Sequence, residues 1–271
     1  MGRLGAAFAR LRSAGEIAFI PGIVPGDPSL ELDTDIVRTL AAAGADAIEL
    51  SYSFSDPVAD GPTLQAAHGR ALGAGLRKEQ AYGWIARARA VTDLPLIVLE
   101  YANCVYQFGV DRFYATLADC GADTAIVIDV PPEESSPFRR AAERAGIGST
   151  FFIAPSTSDH RLREIAASAQ DWIYVVAVSG ITGARSSVED ETTHLLRRAR
   201  AVTNLPLVIG FGISRPEHVR RVAQAGADGA ISCSAVVELI HQHSQQPEEM
   251  LSRLAEYVRS MKAAATPAPS S

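Results

Sequence analysis

The sequence of 271 residues is poor in cysteine and has no dense run of basic residues. Its three cysteines, Cys104, Cys120 and Cys233, show no CxxC spacing. This disfavours a disulfide framework and a structural zinc site, and it fits a reducing compartment. The formal net charge of -6, without a Lys/Arg cluster, provides no electrostatic footprint for nucleic acid or an anionic membrane surface.

Long apolar segments are also absent. No run approaches the roughly 18 apolar residues that a membrane helix needs. The N-terminus carries Arg3, Arg10 and Arg12 but lacks the apolar core of a signal peptide. We therefore expect a soluble, cytoplasmic protein whose partner is a small molecule or another protein, with no nucleic acid, no membrane and no metal.

Short apolar runs alternate with longer amphipathic stretches along most of the chain. The apolar runs predict eight strands, at Ile17–Val24, Ala47–Leu50, Leu96–Leu99, Thr124–Ile128, Thr150–Ile153, Trp172–Val176, Leu207–Ile209 and Gly229–Ile231. Helical spacing lies between them, at Asp35–Ala43, Lys78–Ala90, Asp111–Ala118, Glu134–Ala145, His160–Ala167, Glu191–Ala201 and Pro216–Ala225. Continuously apolar strands are typical of a parallel sheet that is buried on both faces.

Internal repeats support the same interpretation. The tetrapeptide AGAD occurs at Ala43–Asp46 and Ala225–Asp228, and CGAD occurs at Cys120–Asp123, each between a predicted helix and the next strand. A longer repeat pairs AVTDLPLIV at Ala90–Val98 with AVTNLPLVI at Ala201–Ile209. The short repeats predict that one helix-to-strand connection, the joint, occurs three times. The longer repeat predicts two related half-barrels.

These units predict the fold. Eight βα units in about 260 residues indicate a single-domain (β/α)8 TIM barrel, with catalytic groups on the loops after the strands. We assign the barrel to residues 1–262 and a disordered tail, rich in Ala, Pro and Ser, to residues 263–271. An open doubly wound sheet is the alternative, disfavoured because no GxGxxG follows the first strand.

Two carboxylates near the second strand form a candidate acid/base pair. Alternation along this strand places Glu49 on one face with Ala47 and Ser51, which predicts that Glu49 points into the barrel mouth. Burial there favours the neutral carboxyl and proton transfer near neutral pH. The alternative is a strand-end Glu paired with an Arg. Asp60 follows in a Pro/Gly-rich loop, where the alternative role is a helix N-cap.

Three glycine- and serine-containing loops predict an anion site. They are Ser179–Gly183 after the sixth predicted strand, Gly210–Ser214 after the seventh and Ser232–Ala235 after the eighth. Glycines allow backbone N–H groups to approach an anion, and a helix that starts near Ser234 would direct its positive end to the same point. Their joint position indicates a phosphate site.

Six motifs then follow one another in a fixed order. They are IEL around Glu49, FSDPVADGPTLQ at Phe54–Gln65, YAN at Tyr101–Asn103, DVPPEES at Asp129–Ser135, SGITG at Ser179–Gly183 and GFGIS at Gly210–Ser214. In this order they resemble the tryptophan synthase alpha subunit family over nearly the whole chain. The FSDP/ADGP stretch is the most specific part of the resemblance.

The resemblance implies a barrel that cleaves indole-3-glycerol phosphate to indole and glyceraldehyde 3-phosphate in a retro-aldol reaction without a cofactor. The reaction protonates C3 of indole and deprotonates the adjacent side-chain hydroxyl, which a single carboxyl can do. By resemblance this carboxyl is Glu49, and Asp60 accepts a hydrogen bond from the indole N–H. Tyr174 would support Glu49 or border the indole, or else pack in the core beside Trp172.

The resemblance also implies how the substrate is bound. The phosphate residues are Gly183, Gly212 and Ser234 together with Cys233, the apolar wall contains Leu99, Phe211 and Ile231 with Tyr101, and Thr182 belongs to a mobile loop that closes over the site and touches Asp60.

Several positions depart from the family pattern. Ser51-Tyr52-Ser53 replaces Gly-[Ile/Val]-Pro after Glu49. Gly22 stands where a Phe commonly borders the indole, which predicts a wider wall there. Val178 stands where a basic residue is common, Cys233 replaces a phosphate-site glycine and Glu100 replaces an apolar residue.

The departures leave three functions open. The first is an alpha subunit that passes indole to a pyridoxal-phosphate-dependent beta subunit, with Asp56 and Pro57 near the contact. The second is a stand-alone lyase of a specialised pathway, which releases free indole or cleaves a close analogue of indole-3-glycerol phosphate. The third is a catalytically weak barrel that binds and activates a beta-type subunit, and the retention of Glu49 and Asp60 argues against it.

Overall fold

The computed structural model of the protein describes residues 2–176 and 186–266, apart from the side chains of residues 78, 79 and 186–190. Nine parallel strand segments lie in one sheet, in the order β5-β4-β3-β2-β1-β9-β8-β7-β6. Their bounds are β1 Ala18–Ile23, β2 Ile48–Ser51, β3 Leu96–Glu100, β4 Thr124–Val127, β5 Gly148–Ser149, β6 Phe151–Ile153, β7 Ile173–Val175, β8 Leu207–Ile209 and β9 Gly229–Ser232.

The sheet closes on itself through its fifth strand. Only Thr150 separates β5 from β6, and these two segments pair with β4 and β7 respectively, so together they join the ends of the sheet. The predicted (β/α)8 barrel is confirmed, and each of the eight predicted strands overlaps an observed one.

Helices surround the barrel within the described residues. Their bounds are α1 Arg3–Ala14, α2 Asp33–Ala42, α3 Pro62–Gly73, α4 Lys78–Arg89, α5 Ala102–Phe108, α6 Val110–Cys120, α7 Ser136–Ala145, α8 Asp159–Ser168, α9 Ser186–Arg200, α10 Pro216–Gln224, α11 Ser234–Gln242 and α12 Pro247–Ala263. All seven predicted helices are present. The helical spacing left α1, α3, α5, α11 and α12 unpredicted, although a helix start near Ser234 was expected for α11.

Strand alternation divides the apolar residues into two layers. Ile48 and Leu50 of β2 face the surrounding helices, whereas Ala47 belongs to the cluster inside the barrel with Ile97 and Ile231. A parallel strand buried on both faces must be apolar on both, which explains the continuous apolar runs in the sequence.

Helix α1 covers the end of the barrel at which the strands begin. Leu4, Phe8 and Leu11 pack against the interior cluster. The arginines of α1 reach outward to three aspartates: Arg10 pairs with Asp46 at 3.0 Å, Arg3 with Asp123 at 3.1 Å and Arg12 with Asp228 at 3.2 Å.

These three aspartates end the AGAD and CGAD repeats. Each accepts a backbone N–H from a neighbouring strand: Asp46 from Phe19, Asp123 from Leu96 and Asp228 from Leu207, all at 2.9 Å. The longer repeat is part of the same connections. Arg89 and Arg200 lie directly before its two copies, and Arg89 contacts Asp123 while Arg200 contacts Asp228. The prediction that one joint recurs three times is confirmed.

The C-terminal part of the described chain packs on the barrel. Ala264 and Ala265, which follow α12, are buried. Most of the predicted tail, residues 267–271, lies outside the described residues, and the domain boundary at residue 262 stays a prediction. Within the described residues, no helix combines the length and the apolar character that crossing a bilayer requires.

Candidate active site

A cavity of about 490 Å³ opens where the barrel strands end, a size typical of small-molecule sites. It brings together most of the predicted site residues, namely Glu49, Leu99, Asp60, Tyr174, Phe211, Gly212, Ile231, Cys233 and Ser234. Thr182, Gly183 and Val178 lie outside the described residues. Within the described chain, no three His, Cys, Asp or Glu side chains are grouped so that they could hold a metal ion.

Glu49 lies deep in this cavity. Only 2% of the surface of Glu49 is exposed, and its Oε2 makes no hydrogen bond with the residues that the structure describes. Burial, and secondarily the negative charge of Asp60, raise the pKa of the Glu49 carboxyl to about 8. The prediction that Glu49 points into the barrel mouth is confirmed. The alternative pairing with an Arg is not found among the described residues.

Asp60 faces the same cavity from the loop between β2 and α3. The Tyr101 hydroxyl donates a hydrogen bond to its Oδ2 at 2.7 Å, and the Nε2 of His68 lies 3.3 Å from the same oxygen. Helix α3 begins at Pro62, and its N-cap is Gly61 without a side-chain hydrogen bond. The alternative role of Asp60 as the N-cap is therefore wrong, because Tyr101 and His68 hold its carboxylate instead.

Tyr174 of β7 packs in the core, as its alternative role predicted, and also lines the cavity. Its ring packs on Trp172, with 5.4 Å between ring centroids, and on Phe152, with 4.7 Å. It also lines the cavity, and its hydroxyl donates to the Gly210 carbonyl at 3.4 Å. Burial, reinforced by the charge of Glu49, raises the pKa of Tyr174 well above its ordinary value, so the hydroxyl stays protonated.

One end of the cavity combines a glycine turn with the start of a helix. Gly212 adopts φ +75°, a conformation that residues with a side chain rarely take. This conformation lets the loop after β8 turn toward the cavity. Ser234 is the first residue of α11, so the unpaired N–H groups at the start of this helix point to the same end.

Two contacts behind the cavity hold the loop after β8. Ser232 donates to the Ile213 carbonyl at 2.7 Å, and the Ser214 N–H donates to Nδ1 of His218 at 3.3 Å. Burial lowers the pKa of His218, which keeps its ring neutral and able to accept this bond.

The departures from the family pattern occupy different places. Ser51 lines the cavity, whereas Ser53 and Glu100 line a separate cavity beside α4. Glu100 accepts hydrogen bonds from the Tyr82 hydroxyl and the Tyr101 N–H, each at 3.0 Å. Tyr101, predicted to bind the substrate, does not line the main cavity. Its hydroxyl contacts two residues that do, because it donates to Asp60 and accepts from the Ala59 N–H at 3.1 Å.

The wider wall predicted at Gly22 is not formed. A Cβ at residue 22 would lie 2.7 Å from the sulfur of Cys233, so the thiol already fills that space. The two departures are therefore in contact.

Several cavity residues were missed in the sequence. Phe152 and Ile128 belong to predicted strands, and alternation along those strands could have identified them. Leu64 lines the cavity, and His68 follows it by one helical turn on α3. This spacing is the signal that could have placed His68 beside Asp60.

Comparisons with known proteins agree with this geometry. The model of the family described as "Tryptophan synthase alpha chain" matches residues 8–266. The tryptophan synthase alpha chain of Methanothermobacter thermautotrophicus is 45% identical over 253 residues, 93% of this chain and 94% of the relative. That of Escherichia coli is 42% identical over 265 residues, 97% of this chain and 99% of the relative.

Solved structures give the same result. Tryptophan synthase subunit alpha from Legionella pneumophila superposes with a TM-score of 0.90 at 30% identity, covering 98% of both chains. A chain from a structure titled as the tryptophan synthase a2b2 complex of Pyrococcus furiosus superposes with a TM-score of 0.83 at 33% identity, covering 92% of this chain and 98% of that one.

Proposed function

Because the chain belongs to the tryptophan synthase alpha chain family, we propose that it is a carbon–carbon lyase that cleaves indole-3-glycerol phosphate to indole and glyceraldehyde 3-phosphate. One observation carries the proposal: a buried carboxyl, Glu49, lies in the same cavity as the carboxylate of Asp60, and the anion-binding end of the barrel opens into this cavity.

Glu49 is suited to act first as an acid. With a pKa of about 8, roughly nine tenths of this carboxyl is protonated at pH 7. The neutral carboxyl donates its proton to C3 of indole, and the carboxylate that forms accepts the proton of the adjacent side-chain hydroxyl. The carbon–carbon bond then breaks as the aldehyde forms, and Glu49 regains its starting state.

Asp60 stabilises the positive charge that protonation of C3 places on the indole ring. Both contacts from Tyr101 and His68 fall on Oδ2, which fixes the carboxylate in the cavity wall. Its other oxygen is then the acceptor for the indole N–H. A carboxylate held in place before the reaction stabilises this charge without reorganising.

The remaining predicted residues bind the rest of the substrate. Gly212 and Ser234, together with Gly183, hold the phosphate, and Cys233 contributes its backbone N–H beside them. Leu99, Phe211 and Ile231 form the apolar surface for the indole, and Thr182 closes over the site. No cofactor takes part in this reaction.

The test is steady-state release of indole from indole-3-glycerol phosphate by the purified chain, alone and with a beta subunit. We expect the Glu49→Gln variant to lose at least about a thousandfold in kcat, because acid/base catalysis by one group contributes on this scale. The matched variant Glu256→Gln changes an exposed glutamate of α12 and should keep full activity. Near-normal turnover by Glu49→Gln would refute the proposed acid/base role.

The proposed partner is a pyridoxal-phosphate-dependent beta subunit, which binds the loop that contains Asp56 and Pro57. Val58 in this loop is 84% exposed, more than any other large apolar side chain among the described residues. Val58→Asp should abolish co-elution with the beta subunit and any increase in cleavage that the subunit causes. Cleavage by the isolated chain should not change, and unaltered co-elution of the variant would exclude this loop as the contact.

A further inference from the structure

Gly22 and Glu49 are neighbours across the first two strands of the barrel. In the parallel register of β1 and β2, Gly22 pairs directly with Glu49. Paired residues in a parallel sheet project to the same face. A side chain at residue 22 would therefore lie inside the barrel beside the Glu49 carboxyl. Because residue 22 is a glycine, strand β1 does not cover this side of the carboxyl.

Cys233 fills this space from the other side. It is the residue before α11, and its side chain enters the barrel where β9 ends. A Cβ built on Gly22 would lie 2.7 Å from its sulfur and 2.8 Å from its Cβ. Real Cβ atoms do not approach other atoms so closely, so the two positions share room for one side chain only.

Three titratable groups surround Glu49 among the described residues. Asp60 faces it from the loop after β2, Tyr174 from β7 and Cys233 from the start of α11. Asp60 is charged and Tyr174 carries a hydroxyl. Cys233 is the least polar of the three, because a thiol is a weak hydrogen-bonding group.

We infer that Cys233 is a positioning residue which seals Glu49 from water on the side that Gly22 leaves open. The inference rests on the proposed function and extends it, because it names the side chain that keeps the acid neutral. A smaller side chain at residue 233 admits water to Glu49, and the carboxyl then ionises at lower pH. A larger one at residue 22 displaces the thiol into the substrate cavity.

The first test is the pH profile of kcat/KM. Activity that needs protonated Glu49 falls as the pH rises through its pKa. In Cys233→Gly this fall should begin about one pH unit lower, so that activity at pH 9 drops about tenfold further than at pH 6. Cys233→Ala, which keeps the Cβ, should shift the profile less. An unshifted profile in Cys233→Gly would overturn the inference.

The second test is a double-mutant cycle. Gly22→Ala alone should reduce kcat/KM more than about tenfold, because the new methyl group and the thiol need the same space. In Gly22→Ala with Cys233→Gly, the two closest contacts of the methyl group are removed and the backbone Cα of residue 233 remains at 3.3 Å. Activity should therefore return to within about threefold of the parent. Equal losses with and without the thiol would contradict the shared space.

A measurement without substrate separates this inference from the proposed function. Glu49→Gln should stabilise the protein at alkaline pH, because it removes a buried charge. If Cys233 excludes water, this stabilisation shrinks in the Cys233→Gly background, whether or not the chain cleaves indole-3-glycerol phosphate. Identical stabilisation in both backgrounds would reject the sealing role. Absent cleavage by the parent chain would reject the proposed function alone.

Discussion

Replacing the acid of the site should make the protein more stable. The buried Glu49 carboxyl has a pKa of about 8 in the folded chain, against 4.5 for an ordinary glutamate. Between these values the unfolded chain is ionised while the folded chain holds its proton. Folding therefore becomes less favourable as the pH rises from about 4.5 to about 8. Glu49→Gln removes the ionisation and this pH dependence.

The size of the effect follows from the pKa difference. Each pH unit corresponds to about 1.4 kcal/mol, so ionisation costs about 3 kcal/mol at pH 7 and approaches 5 kcal/mol above pH 8. The buried amide of the variant has a desolvation cost of about 1–2 kcal/mol. We expect a net stabilisation of about 3 kcal/mol at pH 8, or roughly 6 °C in Tm, and little difference at pH 5.

The assay is thermal unfolding of both proteins between pH 5 and pH 9. The difference in Tm should grow with pH and level off above pH 8. Glu256→Gln, at an exposed position, serves as the control and should change stability by less than about 0.5 kcal/mol at every pH. A Tm difference for Glu49→Gln that does not vary with pH would refute the raised pKa. A destabilised variant at pH 8 would show that the carboxylate is favourably solvated.

Two further substitutions test the architecture. Gly210→Ala would place a Cβ 1.8 Å from the Tyr174 hydroxyl. We expect the unfolding free energy, measured by denaturant titration, to fall by about 1–3 kcal/mol, and we expect most of the indole-releasing activity to be lost. Parent-like values would show that the Tyr174 ring moves freely. Asp228→Ala leaves the Leu207 N–H without its acceptor and removes the carboxylate that pairs with Arg12 and Arg200, so it should cost about 2–4 kcal/mol of stability with unchanged KM. Asp35→Ala on the surface should cost less than about 1 kcal/mol. Equal costs for the two aspartates would argue against a stabilising role of the joint at Asp228.

The barrel could be predicted from the sequence because its strands are buried on both faces. Leu207–Ile209 and Leu96–Leu99 are apolar at every position, and the Asp that ends each repeat marks the joint before the next strand. Burial on both faces produces a continuous apolar run within one short segment, and a single sequence is enough to show it. The position of Glu49 followed from alternation in the same way.

The rest depends on contacts between distant segments. Helix α1 has apolar residues at Leu4, Phe8 and Leu11, a recognisable helical spacing, but its packing surface exists only after the barrel closes. The contact of Gly22 with Cys233 joins the first strand to the last, and each residue alone looked like an isolated departure. Such pairs are set by three-dimensional packing, for which a single sequence contains no local signal.

The covering of the barrel by α1 also sets an order of events during synthesis. This helix is made before the barrel strands, yet Arg12 pairs with Asp228, which is made 216 residues later. The first strand likewise waits for β9, its partner on one side. Helix α1 therefore cannot complete its docking until the last strand of the barrel has been made, and its apolar face stays partly uncovered in the nascent chain until then.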